Sequence, residues 1–156
     1  FYTGVLGLTV TDRGDLGAMK LVFMSRDPEE HHQVVLVTGR PEEAGFNPIN
    51  QISFRVRDVA ALRSLNRRLQ AAGVADIASV THGNAISIYF RDPEGNRLEV
   101  FLDTPWYCEQ PLREPIDIDR PDAEVLAQSE AIARKQPDFV PRAQWVESMR
   151  ARMRRD

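Results

Sequence analysis

Cysteine is almost absent from this chain: Cys108 is the single one among 156 residues. That excludes an internal disulfide framework and fits a reducing, cytoplasmic environment. With nothing nearby to suggest a nucleophilic dyad, Cys108 is expected to be inert. No apolar run approaches the roughly 20 residues that a membrane-spanning helix needs, and no secretory leader is read at the start. Basic excess is missing as well. Lys and Arg total 20 against 23 Asp and Glu, a net charge of −3, so nothing supports nucleic-acid binding. The most basic segment, Arg150 to Arg155, reads as a solvated helix end. There is no Walker or Rossmann glycine pattern, since Gly4, Gly7, Gly14 and Gly17 are scattered in turns. Gly-x-Ser-x-Gly and Cys-x-x-Cys are absent too. The length is that of one domain, sufficient for a real core.

What is present is concentrated between Ser87 and Phe101. Ser87, Tyr89 and Arg91 alternate with Ile88 and Phe90, as a half-buried strand requires. Asp92-Pro93-Glu94-Gly95-Asn96 supplies a tight turn, with proline presetting one φ and Gly or Asn tolerating left-handed backbone. On the following strand Glu99 shares its face with Arg97 and Phe101, opposite Leu98 and Val100. A carboxylate among apolar residues is costly to bury unless it is paired or binds a metal. Glu99 is therefore the first candidate ligand.

Two similar blocks are expected along the chain. The first has a helix remnant over 1–6, then strands Leu8–Thr11, Lys20–Ser25 and Gln33–Thr38, with a linker over 39–45. In the second, strand Gln51–Arg57 leads to a helix at Val59–Ala72, whose apolar Val59, Leu62, Leu65 and Leu69 recur at helical spacing before Gly73. Strands Ala78–Thr81, Ile86–Phe90 and Arg97–Leu102 complete a βαβββ unit. Periodicity alone indicates an α+β fold. From Thr104 the prolines 105, 111, 115 and 121 predict an extended stretch. A helix at Asp122–Lys135 follows, with Val125, Leu126, Ile132 and Ala133 apolar, and Pro141 suits the first turn of a last helix. Trp145, Met149 and Met153 give that helix one sticky face, for packing on the body of the protein, on a second subunit, or over a ligand.

The run SIYFRDPEGNRLEVF resembles the closing hairpin of the vicinal oxygen chelate superfamily, which includes glyoxalase I, bleomycin-resistance proteins and extradiol catechol dioxygenases. FYTGVLGL at residues 1–8 resembles the passage that ends the first helix in that group. The motif is more specific for the fold than for the reaction. It implies paired βαβββ modules in a domain over 1–103: a partial first module at 1–40 lacking its first strand, and a second at 47–103. A helical extension follows over 104–156. Either residues precede Phe1, or a shortened sheet is completed by a partner chain.

The resemblance also implies roles. Glu99 stands where enzymatic members place a metal ligand. Gln51, in Asn50-Gln51-Ile52-Ser53-Phe54, stands where relatives carry a ligating histidine; its amide oxygen is a weaker donor to Fe(II) than imidazole, and a substrate-bonding or structural role is the other reading. Val35 stands where glyoxalase I has a metal glutamate and cannot ligate. His31-His32 matches a histidine pair of extradiol enzymes, with His32 as acid–base group and His31 as a pocket candidate; the plain alternative is a polar strand entry. Tyr89 matches a tyrosine that hydrogen-bonds substrate, or is structural. His82 faces the cavity mouth or is a turn histidine satisfied by backbone.

The first functional expectation is an extradiol-dioxygenase-like enzyme on a catechol-like aromatic substrate, using Fe(II), or else Mn, Zn or Ni, together with O2. Alternatives are a metal-free binder of the bleomycin-resistance type and a metal-dependent isomerase or lyase. A homodimer is expected, with no nucleic-acid or membrane partner. A histidine in the strand before Phe1 favours the enzyme; an apolar residue there favours the binder.

Overall fold

The computed structural model describes residues 1–26, 33–43 and 51–153. His31 and His32 lie outside the described residues. The chain divides into two compact units, Phe1–Asn50 and Gln51–Asp156.

In the first unit the expected helix remnant is a hydrogen-bonded turn. Val5 N donates to Phe1 O (2.8 Å) and Leu8 N to Tyr2 O (3.0 Å). One turn has too few bonds to propagate as a helix. Strands β1 (Thr9–Leu16), β2 (Met19–Ser25) and β3 (Val34–Val37) form an antiparallel sheet in the order β1-β2-β3. β1 runs well beyond the expected Thr11. Leu16 pairs with Met19 across a two-residue loop in which Gly17 has φ +62°, and that left-handed position suits a tight hairpin. The ladder with β2 thus carries the polar Asp12–Asp15 stretch, which has no hydrophobic alternation to announce it.

The second unit is built on a five-stranded sheet of order β4-β7-β6-β5-β9. Its strands are β4 (Ile52–Arg55), β5 (Ala78–Thr81), β6 (Ala85–Arg91), β7 (Arg97–Asp103) and β9 (Glu114–Pro115). β4 runs parallel to β7, and the other pairings are antiparallel. Parallel neighbours need a crossover, and helix α1 (Val59–Ala71) begins it. Asp58 caps α1 by accepting from Ala61 N at 2.8 Å. Gly73 follows the helix end with φ +68°. Val59, Leu62, Leu65 and Leu69 are buried, as their spacing predicts, and α1 packs on β6 and β7. From the sheet come Ile86, Ile88 and Phe90 of β6 and Leu98, Val100 and Leu102 of β7, all buried. Complete burial of one such side chain stabilises by about 2 kcal/mol. With one sheet face committed to the helix, alternation leaves Ser53, Ser87, Tyr89, Arg97, Glu99 and Phe101 on the other.

The extension is more structured than its prolines predict. β8 (Trp106–Tyr107) pairs with β10 (Val140–Pro141), and β9 adds to the edge strand β5. Helix α2 spans Asp122–Ala133 and α3 spans Arg142–Met153, so Pro141 lies in β10 and not in the last helix; Arg142 N donates to Pro105 O instead (2.9 Å). α2 buries Val125 and Ala133 as expected, and also Ser129, whose hydroxyl bonds that of Thr81 at 2.6 Å. Trp145 stacks on Tyr107 (centroids 4.8 Å apart, 14° between planes). The side chain of Met153 lies outside those described.

Candidate functional site

Strand register gathers the site. Tyr89 of β6 and Ser53 of β4 are both direct partners of Glu99 of β7. Three neighbouring strands therefore aim one carboxylate, one phenol and one hydroxyl at the same spot. Ser87, two residues from Tyr89, joins from the same face. Gln51 stands immediately before β4.

Glu99 is 8% exposed, and both its oxygens are occupied. Oε2 accepts from Ser53 Oγ (2.6 Å) and Gln51 Nε2 (2.9 Å). Oε1 accepts from Tyr89 Oη (2.6 Å) and Ser87 Oγ (2.8 Å). Burial alone raises a carboxyl pKa. Here the hydrogen bonds from Ser53, Tyr89 and Ser87, with His82 nearby, outweigh burial and hold Glu99 below its ordinary value. The phenol responds oppositely. Burial, the hydrogen bond to Glu99 and that group's negative charge push Tyr89 up to about 12, against the opposing pull of Arg97.

An alkaline titration should show this directly. Following phenolate absorbance, Tyr89 should ionise near pH 12, above the ordinary range near 10, and Tyr89→Phe should remove that late phase. A variant trace unchanged at high pH would contradict the assignment. Because the folded state keeps this proton longer than the unfolded chain, Tyr89 favours folding fully below pH 10 and loses that contribution between 10 and 12.

His82 enters from the β5–β6 loop. Its Nε2 lies 2.9 Å from Tyr89 Oη and its Nδ1 2.6 Å from the Leu112 carbonyl oxygen. It thus combines both readings of the sequence: a backbone-satisfied turn histidine that also reaches the site. A carbonyl only accepts, so Nδ1 carries a proton. For a neutral imidazole, Nε2 and Glu99 Oε1 then contest the single Tyr89 proton, and the shorter, charge-assisted contact to Glu99 wins it. The extension holds this loop tightly. Gln110 Nε2 donates to His82 O (2.7 Å), and Thr104 Oγ1 donates to Gly83 O (2.8 Å). Cys108 is completely buried there, and burial pushes its thiol pKa up, as befits an inert cysteine.

The donor set bears on a metal. Gln51 turns its NH2 group toward Glu99, because an amide oxygen there would face a carboxylate oxygen. Among the described residues Glu99 is the one carboxylate in the cluster, and the His82 nitrogen nearest to it stands 3.9 Å from Oε1. Among the described residues no group of three or more His, Cys, Asp or Glu is placed to share an ion. This set does not fit a two-histidine, one-carboxylate Fe(II) site. His31 and His32 lie outside the described residues. Val35, at 38% exposure, offers no donor atom.

Sequence reasoning singled out Gln51, His82, Tyr89 and Glu99, and the structure brings all four together. It passed over Ser53, Ser87, Gln110 and Leu112. Ser87 had a signal, since it alternates with Tyr89 along β6; Ser53 and the extension residues had none, because their places depend on the β4–β7 register and on a long return of the chain.

Comparison with known proteins agrees with this architecture. Two Rhodococcus globerulus proteins are similar. Biphenyl-2,3-diol 1,2-dioxygenase 2 is 28% identical over 87 residues, covering 53% of this chain and 45% of that protein. Biphenyl-2,3-diol 1,2-dioxygenase 3 is 30% identical over 108 residues, covering 66% and 54%. The chain thus spans about half the length of the curated relatives it matches. A solved glyoxylase/bleomycin resistance protein/dioxygenase domain from Frankia sp. EAN1pec shares the fold, with TM-score 0.55 and 24% identity over 65% of this chain and 78% of that one. Among the described residues no helix is long and apolar enough to cross a membrane. Residues 1–100 match the family model, which is most of the chain, and the chain belongs to the Glyoxalase/Bleomycin resistance protein/Dioxygenase superfamily.

Proposed function

We propose that the polar face of the second unit's sheet binds a small hydroxylated aromatic molecule, and that Glu99 acts there as a hydrogen-bonded anionic hub without a metal. The observation that carries this is the full occupancy of both Glu99 oxygens by neutral donors. Tyr89 and His82 are the groups placed to meet a ligand hydroxyl, with Phe101 on the same face to contact a ring. In this reading the two units correspond to the paired modules inferred from the sequence, the first short of one strand, and residues 104–156 are an extension that braces His82.

A second reading has specific support in the two similar biphenyl-2,3-diol 1,2-dioxygenases. In it the protein is a ring-cleaving enzyme, with Glu99 and Gln51 toward Fe(II), His32 as acid–base group, Tyr89 and His82 toward substrate, and O2 as co-substrate. Metal analysis of the full chain purified without oxygen, beside Glu99→Ala, separates the two. Catechol binding that persists in chelator, with no stoichiometric metal in either protein, supports the binder. Stoichiometric Fe(II) that disappears in Glu99→Ala overturns it in favour of the dioxygenase.

A further inference from the structure

One side chain clamps the histidine of the site while bonding neither its ring nor Glu99. Gln110 turns its Nε2 toward two carbonyl oxygens, those of His82 (2.7 Å) and Cys108 (3.2 Å). Its Oε1 accepts from Leu112 N at 3.1 Å. Carbonyls only accept and a backbone N–H only donates, so these partners fix which way the amide faces. Two residues on from Gln110, the Leu112 carbonyl oxygen lies 2.6 Å from His82 Nδ1. The path from His82 O through Gln110 and Leu112 back to the imidazole is thus a closed ring of hydrogen bonds. Just beyond it, Glu114 pairs with Thr81 in the β9–β5 ladder, so Leu112 is strung between two anchors. The His82 backbone is pinned as well: its N donates to Ala85 O (2.8 Å) and its O accepts from Asn84 N (2.9 Å).

This clamp imposes a proton position that the rest of the site would not choose. For a neutral imidazole, the Leu112 carbonyl demands the proton on Nδ1. Tyr89 gives its own proton to Glu99 Oε1 at 2.6 Å, which leaves its oxygen an acceptor 2.9 Å from His82 Nε2. Tyr89 and Glu99 alone would therefore place the imidazole proton on Nε2, from which it is donated to Tyr89 Oη. With the proton on Nδ1 instead, Nε2 and Tyr89 Oη face each other as two acceptors with no proton between them. Such a pair calls for a donor, and a phenolic hydroxyl is one.

We infer that Gln110 is a positioning residue: by holding the Leu112 carbonyl on Nδ1 it keeps neutral His82 in the Nδ1–H form, and so keeps Nε2 and Tyr89 Oη ready to accept from a ligand hydroxyl. This rests on the proposed small-molecule role of the face and states what makes that face receptive to a hydroxylated ligand. Gln110 acts through Leu112 and contacts no ligand itself. Released from the clamp, His82 moves its proton to Nε2 and donates to Tyr89 Oη. The demand that the ligand hydroxyl met is then met internally, and the ligand loses a partner.

The test reads the proton position and the affinity separately. On the isotope-labelled full chain at about pH 8.5, roughly two units above the ordinary imidazole value, long-range proton–nitrogen correlations show which His82 nitrogen is protonated. His82→Gln assigns its signals beside those of His31 and His32. Calorimetry with catechol in the presence of chelator gives the affinity. The natural chain should show Nδ1–H. Gln110→Met keeps the side-chain length without its hydrogen bonds; it should shift His82 to Nε2–H and weaken catechol about tenfold, the scale of one net hydrogen bond. Gln110 is exposed, so this variant should fold, and unchanged amide dispersion checks that it does. Phe139→Ala loosens the same extension at its apolar cluster and leaves the ring of bonds alone. It should lower stability to urea while proton position and affinity stay as they are. An unchanged proton position in Gln110→Met, a doubly protonated His82 in the natural chain, or an equal change in Phe139→Ala overturns the positioning role. A proton that moves while catechol affinity holds overturns its link to binding. Failure of catechol to bind the natural chain overturns the small-molecule role of the face, whereas the hold of Gln110 on His82 is still read from the ring nitrogens.

Discussion

Gly83→Ala should destabilise the second unit by at least about 3 kcal/mol and disengage the extension from His82. Two costs add. Gly83 has φ +73°, where a Cβ costs about 1–2 kcal/mol. That Cβ would also overlap Cys108 Sγ and come within 3.1 Å of Leu112 Cδ2 and 3.2 Å of Ala133 Cβ. Overpacking of this kind typically costs 1–3 kcal/mol, and here relief is poor. Cys108 and Ala133 are completely buried, in a cluster with Trp106 that Leu112 and Phe139 flank. The chain can respond by lifting the segment around Cys108 and Leu112 away from the loop. Doing so breaks the bonds of Gln110 and Leu112 to His82, so the damage reaches the site. Urea denaturation measures the stability loss, and the imidazole resonances of His82 report its partner. In a Gly83→Ala/Cys108→Ala double variant the loss should be less than the sum of the two single ones, because the second change removes the overlapping sulfur. Strict additivity would show that the backbone conformation, and not the overlap, sets the cost.

That dependence explains why the site was only half legible in the sequence. Glu99, Tyr89 and Arg97 could be placed on one face because alternation is local and the Asp92–Asn96 turn fixes the hairpin register. The helix over 59–71 was equally plain, since Leu62, Leu65 and Leu69 recur at its own period. Ser53 is different. A serine in a strand signals nothing until the parallel β4–β7 register sets it opposite Glu99, and that pairing depends on the crossover through α1. Leu112 comes from farther still: it reaches His82 because β9 adds to the edge of β5, a two-residue pairing that Glu114-Pro115 does not advertise. In the first unit the error ran the other way. Apolar alternation ends near Thr11, yet backbone pairing with β2 carries β1 to Leu16. Gln51 was read as a possible oxygen donor to a metal. In the structure its amide stands beside a carboxylate, and the NH2 group donates to Glu99 Oε2.

Glu99→Ala should cost the second unit about 3 kcal/mol at neutral pH, the largest loss expected from a single polar side chain in this sheet. A buried carboxylate is expensive in itself, and replacing it together with its donors by apolar groups need not destabilise. Removing it alone is another matter. Ser87 is completely buried and Tyr89 nearly so, and both would be left with hydroxyls pointing at a void. Each hydrogen bond to a charged group contributes about 1.5–3 kcal/mol, and each stranded buried donor costs about 1–3. The total stays below the sum of four, because hydroxyls rotate and Ser53 and Gln51 can reach water. Glu99→Gln keeps the shape and should lose less, but its amide brings a donor to face four donors. The pH dependence isolates the charge. The folded state holds Glu99 below its ordinary 4.5, so it binds this proton less readily than the unfolded chain. The contribution is therefore complete above 4.5 and is lost as pH falls through the folded value. The stability gap between the natural chain and Glu99→Gln, taken from urea melts, should be widest at neutral pH and shrink as pH falls below 4.5. A gap that does not change with pH would mean that shape, and not the charge on Glu99, holds Ser53, Ser87 and Tyr89 together.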